Sequence, residues 1–230
     1  MVIGNGMIAK RFYPYEKNPD IIIFASGVSN SKNKNIAEFN RELDLLEKTI
    51  AAHPDKILVY FSTCSIEDPG ESKAPYTLHK KQLEEVIQKK IKRHYIFRVS
   101  NIAGNATNPN TVLNFFYHHI MNQINFDLWV NAYRNIIDMD DVFVIIDSIL
   151  KSGNLANQVI NVANPESYKV TDIVASLEEV TGLTANAIPI EKGFYFPIDI
   201  SLILPIIEEL KIKFDHSYLL NLVRKYYQHS

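Results

Sequence analysis

The chain has 230 residues, 47% of them hydrophobic and 22% charged, which is typical of a soluble globular protein with one large domain or two closely associated ones. A formal net charge of -2 gives no basic surface for nucleic acid, and no apolar run approaches the length of a membrane span. The single cysteine, Cys64, and seven histidines without a spaced ligand pattern exclude a disulfide framework and predict no metal site, which suits a cytoplasmic protein.

A glycine motif follows the first three residues, which predict a short, clipped strand. Gly4, Gly6, Met7, Ile8 and Ala9 lie in a Gly-x-Gly-x-x-Ala sequence that leads into a short helix. In this context the glycine turn allows a pyrophosphate to approach the N-terminus of the helix. A tight turn between strand and helix without a ligand is the other interpretation.

The next segment, residues 20–27, is a continuous apolar run that ends in Ala25, Ser26 and Gly27. Such a run predicts a parallel strand buried on both faces, and its small final residues leave room for a ligand beside the glycine turn. Alternating elements follow it, namely helices at about 36–52 and 76–92 and strands at about 56–61 and 95–99. The alternation predicts an α/β protein with a parallel sheet and helices on both faces.

The second half of the chain begins with a loop rich in Asn, Thr and Pro at 105–110. Its predicted helices are at about 111–121, 141–151, 170–181, 202–210 and 216–227, and its predicted strands at about 128–130 and 159–163. We therefore expect a sheet-based N-terminal part over 1–104 and a smaller α/β C-terminal part over 105–230 that packs against it. Segments at about 135–163 are expected to return to the core sheet.

Tyr76 and Lys80 are the first candidates for chemistry. They are four residues apart on a predicted helix and therefore share one face. A nearby ammonium stabilises phenolate, so we expect Lys80 to lower the pKa of Tyr76 and make the phenol an acid or base near neutral pH. Thr63, at the end of the preceding strand, could donate a hydrogen bond to the same substrate oxygen. A solvated helix that carries the two residues by chance is the alternative.

The order of these motifs resembles the extended short-chain dehydrogenases/reductases, the NAD(P)-dependent sugar-nucleotide epimerases, dehydratases and ketoreductases. Three later segments add to the resemblance. Arg98-Val99-Ser100-Asn101-Ile102-Ala103-Gly104 is similar to the family's Arg-x-x-Asn-x-x-Gly, and the segment from Arg134 to Val142 to its Arg-Asp-φ-φ-His-Val-x-Asp, where φ is apolar. Residues 159–163 match a later strand that carries an asparagine. The resemblance covers about residues 1–182.

The resemblance implies a role for each matching residue. Tyr76 would be the general acid/base, Thr63 the polarising hydroxyl, and Lys80 the ligand of the nicotinamide ribose. The glycine turn and the small residues at 25–27 would bind NAD or NADP. Asn101 and Arg134 would contact the diphosphate of a nucleotide-sugar. The plainer interpretations are that Asn101 is a turn residue and that Arg134 forms a surface ion pair. Related proteins pair through the helices at 36–52 and 76–92, so a homodimer is expected.

Two departures from the family pattern restrict the prediction. Cys64 and Ser65 occupy the positions where the dehydratases carry an acidic pair, so a 4,6-dehydratase is disfavoured and a 4-ketoreductase, dehydrogenase or 4-epimerase is expected. Only ten residues separate Ala9 from Asp20, where the family has a strand, a helix and a strand. The adenosine side of the cofactor site is therefore expected to be truncated, with Lys10 and Arg11 as candidates to meet a ribose phosphate.

The leading hypothesis is an NAD(P)-dependent reductase or epimerase of a nucleotide-linked sugar. A role in surface polysaccharide biosynthesis is inferred from the family alone. The alternative is a catalytically degenerate member that binds nucleotide as a regulatory or accessory protein. The short N-terminal unit favours this alternative, whereas the complete set of Thr63, Tyr76 and Lys80 favours the enzyme.

Overall fold

A computed structural model describes residues 1–105 and 108–228, so part of the predicted loop at 105–110 lies outside the described residues. The strands are β1 (Val2–Ile3), β2 (Ile21–Phe24), β3 (Ile57–Thr63), β4 (His94–Val99), β5 (Asn101–Ala103), β6 (Phe126–Trp129), β7 (Tyr133–Arg134), β8 (Ile136–Asp138), β9 (Val159–Val162), β10 (Tyr168–Lys169) and β11 (Ala187–Ile190). The helices are α1 (Met7–Arg11), α2 (Ile36–Ala52), α3 (Pro75–Lys90), α4 (Val112–Met121), α5 (Met139–Ser152), α6 (Val170–Thr181), α7 (Leu204–Leu210) and α8 (Tyr218–Tyr227). No helix in this part of the chain is long and apolar enough to cross a membrane.

The main sheet has five parallel strands in the order β1-β2-β3-β4-β9. Side chains alternate along a strand, so β3 buries residues on both faces. Val59 and Phe61 contact the cluster that includes residues of α5 and α7, whereas Leu58 and Tyr60 pack with Leu46 of α2 and residues of α3. The predicted Rossmann-like sheet with helices on both faces is confirmed.

The edge strand β1 pairs only with β2 in the described part of the chain. The short segment between Ala9 and Asp20 contains the end of α1 and a single 3₁₀ turn at Tyr13–Tyr15, with no strand. The N-terminal unit is therefore short, as the spacing between Ala9 and Asp20 predicts. The carboxyl ends of β1, β2 and β3 still meet at one edge of the sheet, where ligands bind in open α/β folds.

A second hydrophobic cluster joins α4, α6 and α8 with the parallel pair β6 and β11. Two smaller pairs, β5 with β8 and β7 with β10, connect this C-terminal part to the sheet. Lys225 of α8 donates to Asp138 at 2.7 Å, and the Asp138 side chain also caps the N-terminus of α5. Helix α8 is thus held against the junction of β8 and α5.

Candidate active site

Thr63 lies at the last position of β3, where the chain turns into a single 3₁₀ turn at Cys64–Ile66. Its Oγ1 accepts a hydrogen bond from the backbone N–H of Ser65 at 3.1 Å. Its hydroxyl lies beside the Tyr76 phenol, close enough to lower the pKa of the phenol. Ser62, the neighbouring hydroxyl, instead donates to Glu84 at 2.5 Å. Of these two neighbouring hydroxyls, Thr63 is therefore the one placed beside Tyr76.

Tyr76 and Lys80 lie on the buried face of α3, which begins at Pro75, a residue favoured in the first turn because it lacks an N–H. Tyr76 is 7% exposed and packs against Val28 and Phe39. The Lys80 ammonium lies 5.9 Å from the centroid of the Tyr76 ring. The helix therefore brings the two side chains together, as their spacing predicts.

The Lys80 ammonium is not solvated but bound in a polar cluster. It donates to Glu42 Oε1 at 2.9 Å and to the Tyr60 hydroxyl at 3.1 Å, and Lys80 is 2% exposed. Glu42, on α2, also accepts from the Tyr60 hydroxyl at 3.0 Å and from the backbone N–H of Val28 at 2.7 Å. The Nε2 atom of His79 lies 3.1 Å from Glu42 Oε2. We call Glu42, Tyr60, His79 and Lys80 the Glu42 cluster.

The expected lowering of the Tyr76 pKa is wrong for this structure. Burial raises the pKa of the phenol above its ordinary value, and this outweighs the lowering by Lys80. The charge of Glu42 adds to the rise, and the hydrogen bond from Thr63 opposes it. The sequence indicates that Lys80 lies beside Tyr76. It does not show how deeply Tyr76 is buried, nor that the Glu42 carboxylate pairs with Lys80. Tyr76 is therefore a phenol, not a phenolate, near neutral pH.

The small residues at the end of β2 connect the glycine turn to α3. Gly4 has a φ of +127°, and a Cβ at this position would lie 2.3 Å from the carbonyl oxygen of Ala25, so only glycine fits. A Cβ at Gly27 would lie 2.6 Å from Lys80 Nζ and 2.7 Å from Glu42 Oε1. The room expected for a ligand at Gly27 is thus occupied by the ion pair. Ser26 accepts a long hydrogen bond from Arg41 through its backbone oxygen, at 3.5 Å.

The remaining glycine of the turn has a different environment. Gly6 precedes α1, and an added Cβ there would meet nothing within 4 Å. Met7 contacts Gly104, where a Cβ would lie 2.4 Å from its sulfur, and Ile8 packs against the core. Helix α1 has only five residues. Of the three glycines expected to bind the cofactor, namely Gly4, Gly6 and Gly27, Gly6 is the one at which an added Cβ would meet no atom within 4 Å.

Of the expected substrate-binding residues, Asn101 begins β5 and contacts Asn135, and Arg134, the residue before Asn135, ends β7. Asn101 is exposed, and its side-chain amide donates to the carbonyl oxygen of Asn135 at 2.8 Å. Arg134 is half-buried and donates to the carbonyl oxygen of Tyr133 at 2.8 Å. Among the described residues no carboxylate forms an ion pair with Arg134, so the surface ion pair considered as its alternative does not form there.

A second buried polar network lies on the other side of Thr63. Arg98 donates to both oxygens of Glu84, at 2.9 and 2.7 Å, and to Glu67 at 2.8 Å. Cys64 is buried, its thiol donates to the carbonyl oxygen of Arg98, and burial raises the thiol pKa. This agrees with Cys64 as a packing residue. Arg11 pairs with Asp140 at 2.7 Å, which leaves Lys10 as the better candidate to meet a ribose phosphate.

Glu42 is the main site residue that the sequence analysis missed. It is fully buried, and it lies between Phe39 and Leu46 on the apolar face of α2. A carboxylate at such a position signals a buried partner, because an unpaired charge is costly to bury.

No three His, Cys, Asp or Glu side chains converge into a metal site in the described ranges.

The structure has a parallel sheet with a glycine turn after β1, a Thr at the end of β3 and a Tyr-x-x-x-Lys helix beside it, which is the arrangement that the resemblance implies. This confirms the resemblance predicted from the sequence at the level of the fold. No protein-family profile and no curated protein sequence matches the chain.

Solved structures with this fold cover most of the chain. UDP-glucuronic acid 4-epimerase from Bacillus cereus, in complex with UDP-glucuronic acid and NAD, has a TM-score of 0.72 and 17% identity over 97% of this chain and 78% of its own. dTDP-glucose 4,6-dehydratase from Bacillus anthracis, in complex with NAD, has a TM-score of 0.65 and 15% identity over 95% of this chain and 74% of its own. RMD from Pseudomonas aeruginosa, complexed with NADPH, has a TM-score of 0.63 and 15% identity over 82% of this chain and 75% of its own. At these identities the likeness shows the fold.

Proposed function

We propose that the protein is an NAD(P)-dependent oxidoreductase or epimerase that acts on a nucleotide-linked sugar. The observation that carries this proposal is the contact of Tyr76 with Thr63 and Lys80 at the carboxyl edge of the sheet, beside the glycine turn. A hydroxyl donor, a phenol and an ammonium held together form an acid/base site for a carbonyl or carbinol. The solved structures above, which hold NAD or NADPH and in one case a UDP-sugar, support the same class.

Each residue has a distinct task in this site. Tyr76 gives a proton to the sugar carbonyl oxygen during reduction, or takes it from the hydroxyl during oxidation. Thr63 orients the Tyr76 hydroxyl and stabilises charge on the same oxygen. Lys80 retains a third N–H beyond those bound by Glu42 and Tyr60, which suits a ribose hydroxyl. A bound nicotinamide would supply or accept the hydride.

The residues at the nicotinamide end fit a dinucleotide. The space above Gly6 admits a pyrophosphate, and the buried hydroxyl of Ser100, just after β4, finds no hydrogen-bond partner among the described residues. The adenosine end fits less well, because no described strand flanks the outer edge of β1. We therefore expect binding that depends on the nicotinamide half. Lys10, which is exposed, would favour NADP through the ribose phosphate.

The substrate side of the proposal rests on Asn101 and Arg134. A guanidinium forms paired hydrogen bonds with phosphate oxygens, and Arg134 has no carboxylate partner among the residues described. Its diphosphate ligand would be that of a nucleotide-sugar. A role in surface polysaccharide biosynthesis, carried out in the cytoplasm, follows from the same proposal.

A specific observation favours a second candidate, a degenerate protein that binds nucleotide without turnover. Lys80 is paired with Glu42, and the pKa of Tyr76 is raised. Both features reduce the basicity available for oxidation. In this alternative the protein would bind a dinucleotide or nucleotide-sugar, and no sugar substrate would be converted.

The first test is a thermal shift with NAD, NADP and their reduced forms. A ligand at a hundred times its dissociation constant stabilises the folded state by about 2.7 kcal/mol, so at least one dinucleotide should raise the melting temperature. Gly6→Ala is the matched control: it should fold normally, since its φ of -75° suits alanine, and should reduce the shift. No shift with any dinucleotide would contradict the enzyme, and a shift with a nucleotide-sugar alone would then favour the second candidate.

We also propose a homodimer formed through the outer faces of α2 and α3. Ile36 and Leu78, at the starts of these helices, are 71% and 52% exposed and would be covered. Light scattering should give about twice the mass of one chain. A monomer at micromolar concentration, or a dimer unchanged by Leu78→Glu, would contradict this surface.

A further inference from the structure

The Glu42 carboxylate is the point at which three parts of the candidate site meet. It accepts from Lys80 of α3, from Tyr60 of β3 and from the backbone N–H of Val28 in the segment after β2. Glu42 is completely buried, so water contributes nothing to the solvation of its charge. Burial alone would raise the pKa of Glu42, but Lys80, His79 and the Val28 N–H together lower it to about 2. The carboxylate is therefore charged at every pH at which the protein would work.

This charge changes what Lys80 can do for Tyr76. An ammonium alone would favour phenolate, but the carboxylate 2.9 Å from that ammonium offsets part of its effect and so adds to the effect of burial on the Tyr76 pKa. The other titratable groups of the Glu42 cluster are Tyr60, which is not cationic in either protonation state, and His79, whose Nε2 atom lies 3.1 Å from Glu42 Oε2. Tyr60 is itself held as a neutral phenol, because burial and Glu42 raise its pKa.

We propose that Glu42 is a positioning residue of the site: it holds Lys80 beneath Gly27 and, by neutralising the ammonium, keeps Tyr76 in the protonated form. A protonated Tyr76 is ready to donate to a carbonyl oxygen. The site then favours ketone reduction near neutral pH over dehydrogenation or epimerisation, which must begin with a base. In this step the Tyr76 O–H bond breaks and its proton forms the O–H of the new alcohol. The new C–H bond would take its hydride from a reduced dinucleotide, which is oxidised, and the phenolate regains a proton from the solvent.

The preference for ketone reduction rests on the proposed function, but the protonation state of Tyr76 does not. It is measured without substrate or dinucleotide by nuclear magnetic resonance, with tyrosine isotope-labelled at Cζ. The Tyr76 signal is the one missing from Tyr76→Phe. In the wild-type protein Tyr76 should not titrate below about pH 10, the ordinary value of the phenol.

The variant that tests Glu42 is Glu42→Gln, which keeps the shape of the side chain and removes the charge. Its Tyr76 should titrate about one pH unit or more below the wild-type signal, since an ammonium without its counter-ion favours phenolate. Asp44→Asn, an exposed carboxyl on the same helix, should leave the signal unchanged. In the double variant Glu42→Gln/Lys80→Met, which removes both charges, Tyr76 should titrate above the pH found for Glu42→Gln.

The outcomes separate the two proposals. A wild-type Tyr76 that titrates below its ordinary pKa would overturn the role of Glu42, whether or not Glu42→Gln folds. An unchanged or higher midpoint in folded Glu42→Gln would do the same. If a keto-sugar substrate is turned over, the alkaline decline of kcat should move to lower pH in Glu42→Gln. Failure to find any substrate would count against the proposed function and leave the titration result intact.

Discussion

Tyr76→Phe is expected to reduce the turnover of a keto-sugar nucleotide by about a hundred- to ten-thousand-fold, the contribution usual for a positioned acid or base. The phenyl ring fills the same space against Val28 and Phe39 but carries no proton to donate. Loss of the buried phenol hydroxyl beside Thr63 should cost about 1 kcal/mol of stability. The measurement is the initial rate of reduced dinucleotide consumption with the keto-sugar nucleotide in excess.

Two controls isolate the proton from the packing. The thermal shift produced by the dinucleotide should be the same in Tyr76→Phe and wild type, because the proposed dinucleotide contacts are made by other residues. Tyr15→Phe is matched in chemistry: Tyr15 is 8% exposed and its hydroxyl donates to Asp147 at 2.8 Å, on the opposite face of the sheet. It should lose a similar stability and no turnover. Equal rates for Tyr76→Phe and wild type would remove Tyr76 from its proposed role.

The sequence predicts the frame of this site well, because its signals are local. The spacing of apolar residues in 36–52 gives α2 to the residue, and α3 differs from its prediction by one residue at the start and two at the end. The glycine turn is also a local signal, since Gly4 has a positive φ of +127° that glycine adopts readily. Short strand pairs are harder to predict from the sequence. Strands β7 and β10 have only two residues each, and their pairing depends on tertiary contacts.

The electrostatics of the site could not be predicted in the same way. The i+4 spacing of Tyr76 and Lys80 indicates attraction between ammonium and phenolate. It does not show that Glu42, on another helix, reaches the same ammonium, nor that both side chains are desolvated. The sign of the Tyr76 pKa shift was therefore wrong although the geometry was right. A charged residue within an apolar helix face, as at Glu42, is the signal that points to such a partner.

Arg98→Met is expected to cost about 3 kcal/mol of unfolding free energy, a large effect for a residue with no proposed part in the chemistry. Glu84 is 3% exposed and relies on the Arg98 guanidinium, which binds both of its oxygens. Removing one partner of a buried ion pair leaves the other charge without compensation, which typically costs about 3–5 kcal/mol. The 17% exposure of the Arg98 side chain allows some solvation and favours the lower end. Urea denaturation measures the change.

The matched variants show whether charge or packing is responsible. Adding Glu84→Gln to Arg98→Met removes the uncompensated charge and should recover more than half of the loss, while Ser62 keeps a hydrogen-bond partner. Lys90→Met, in the exposed pair with Glu47, should cost less than about 1 kcal/mol. A loss unchanged in the double variant would assign the effect to packing. Because Glu42, not Glu84, is the carboxylate that acts on Tyr76, Arg98→Met should also leave the Tyr76 titration in place while the protein remains folded.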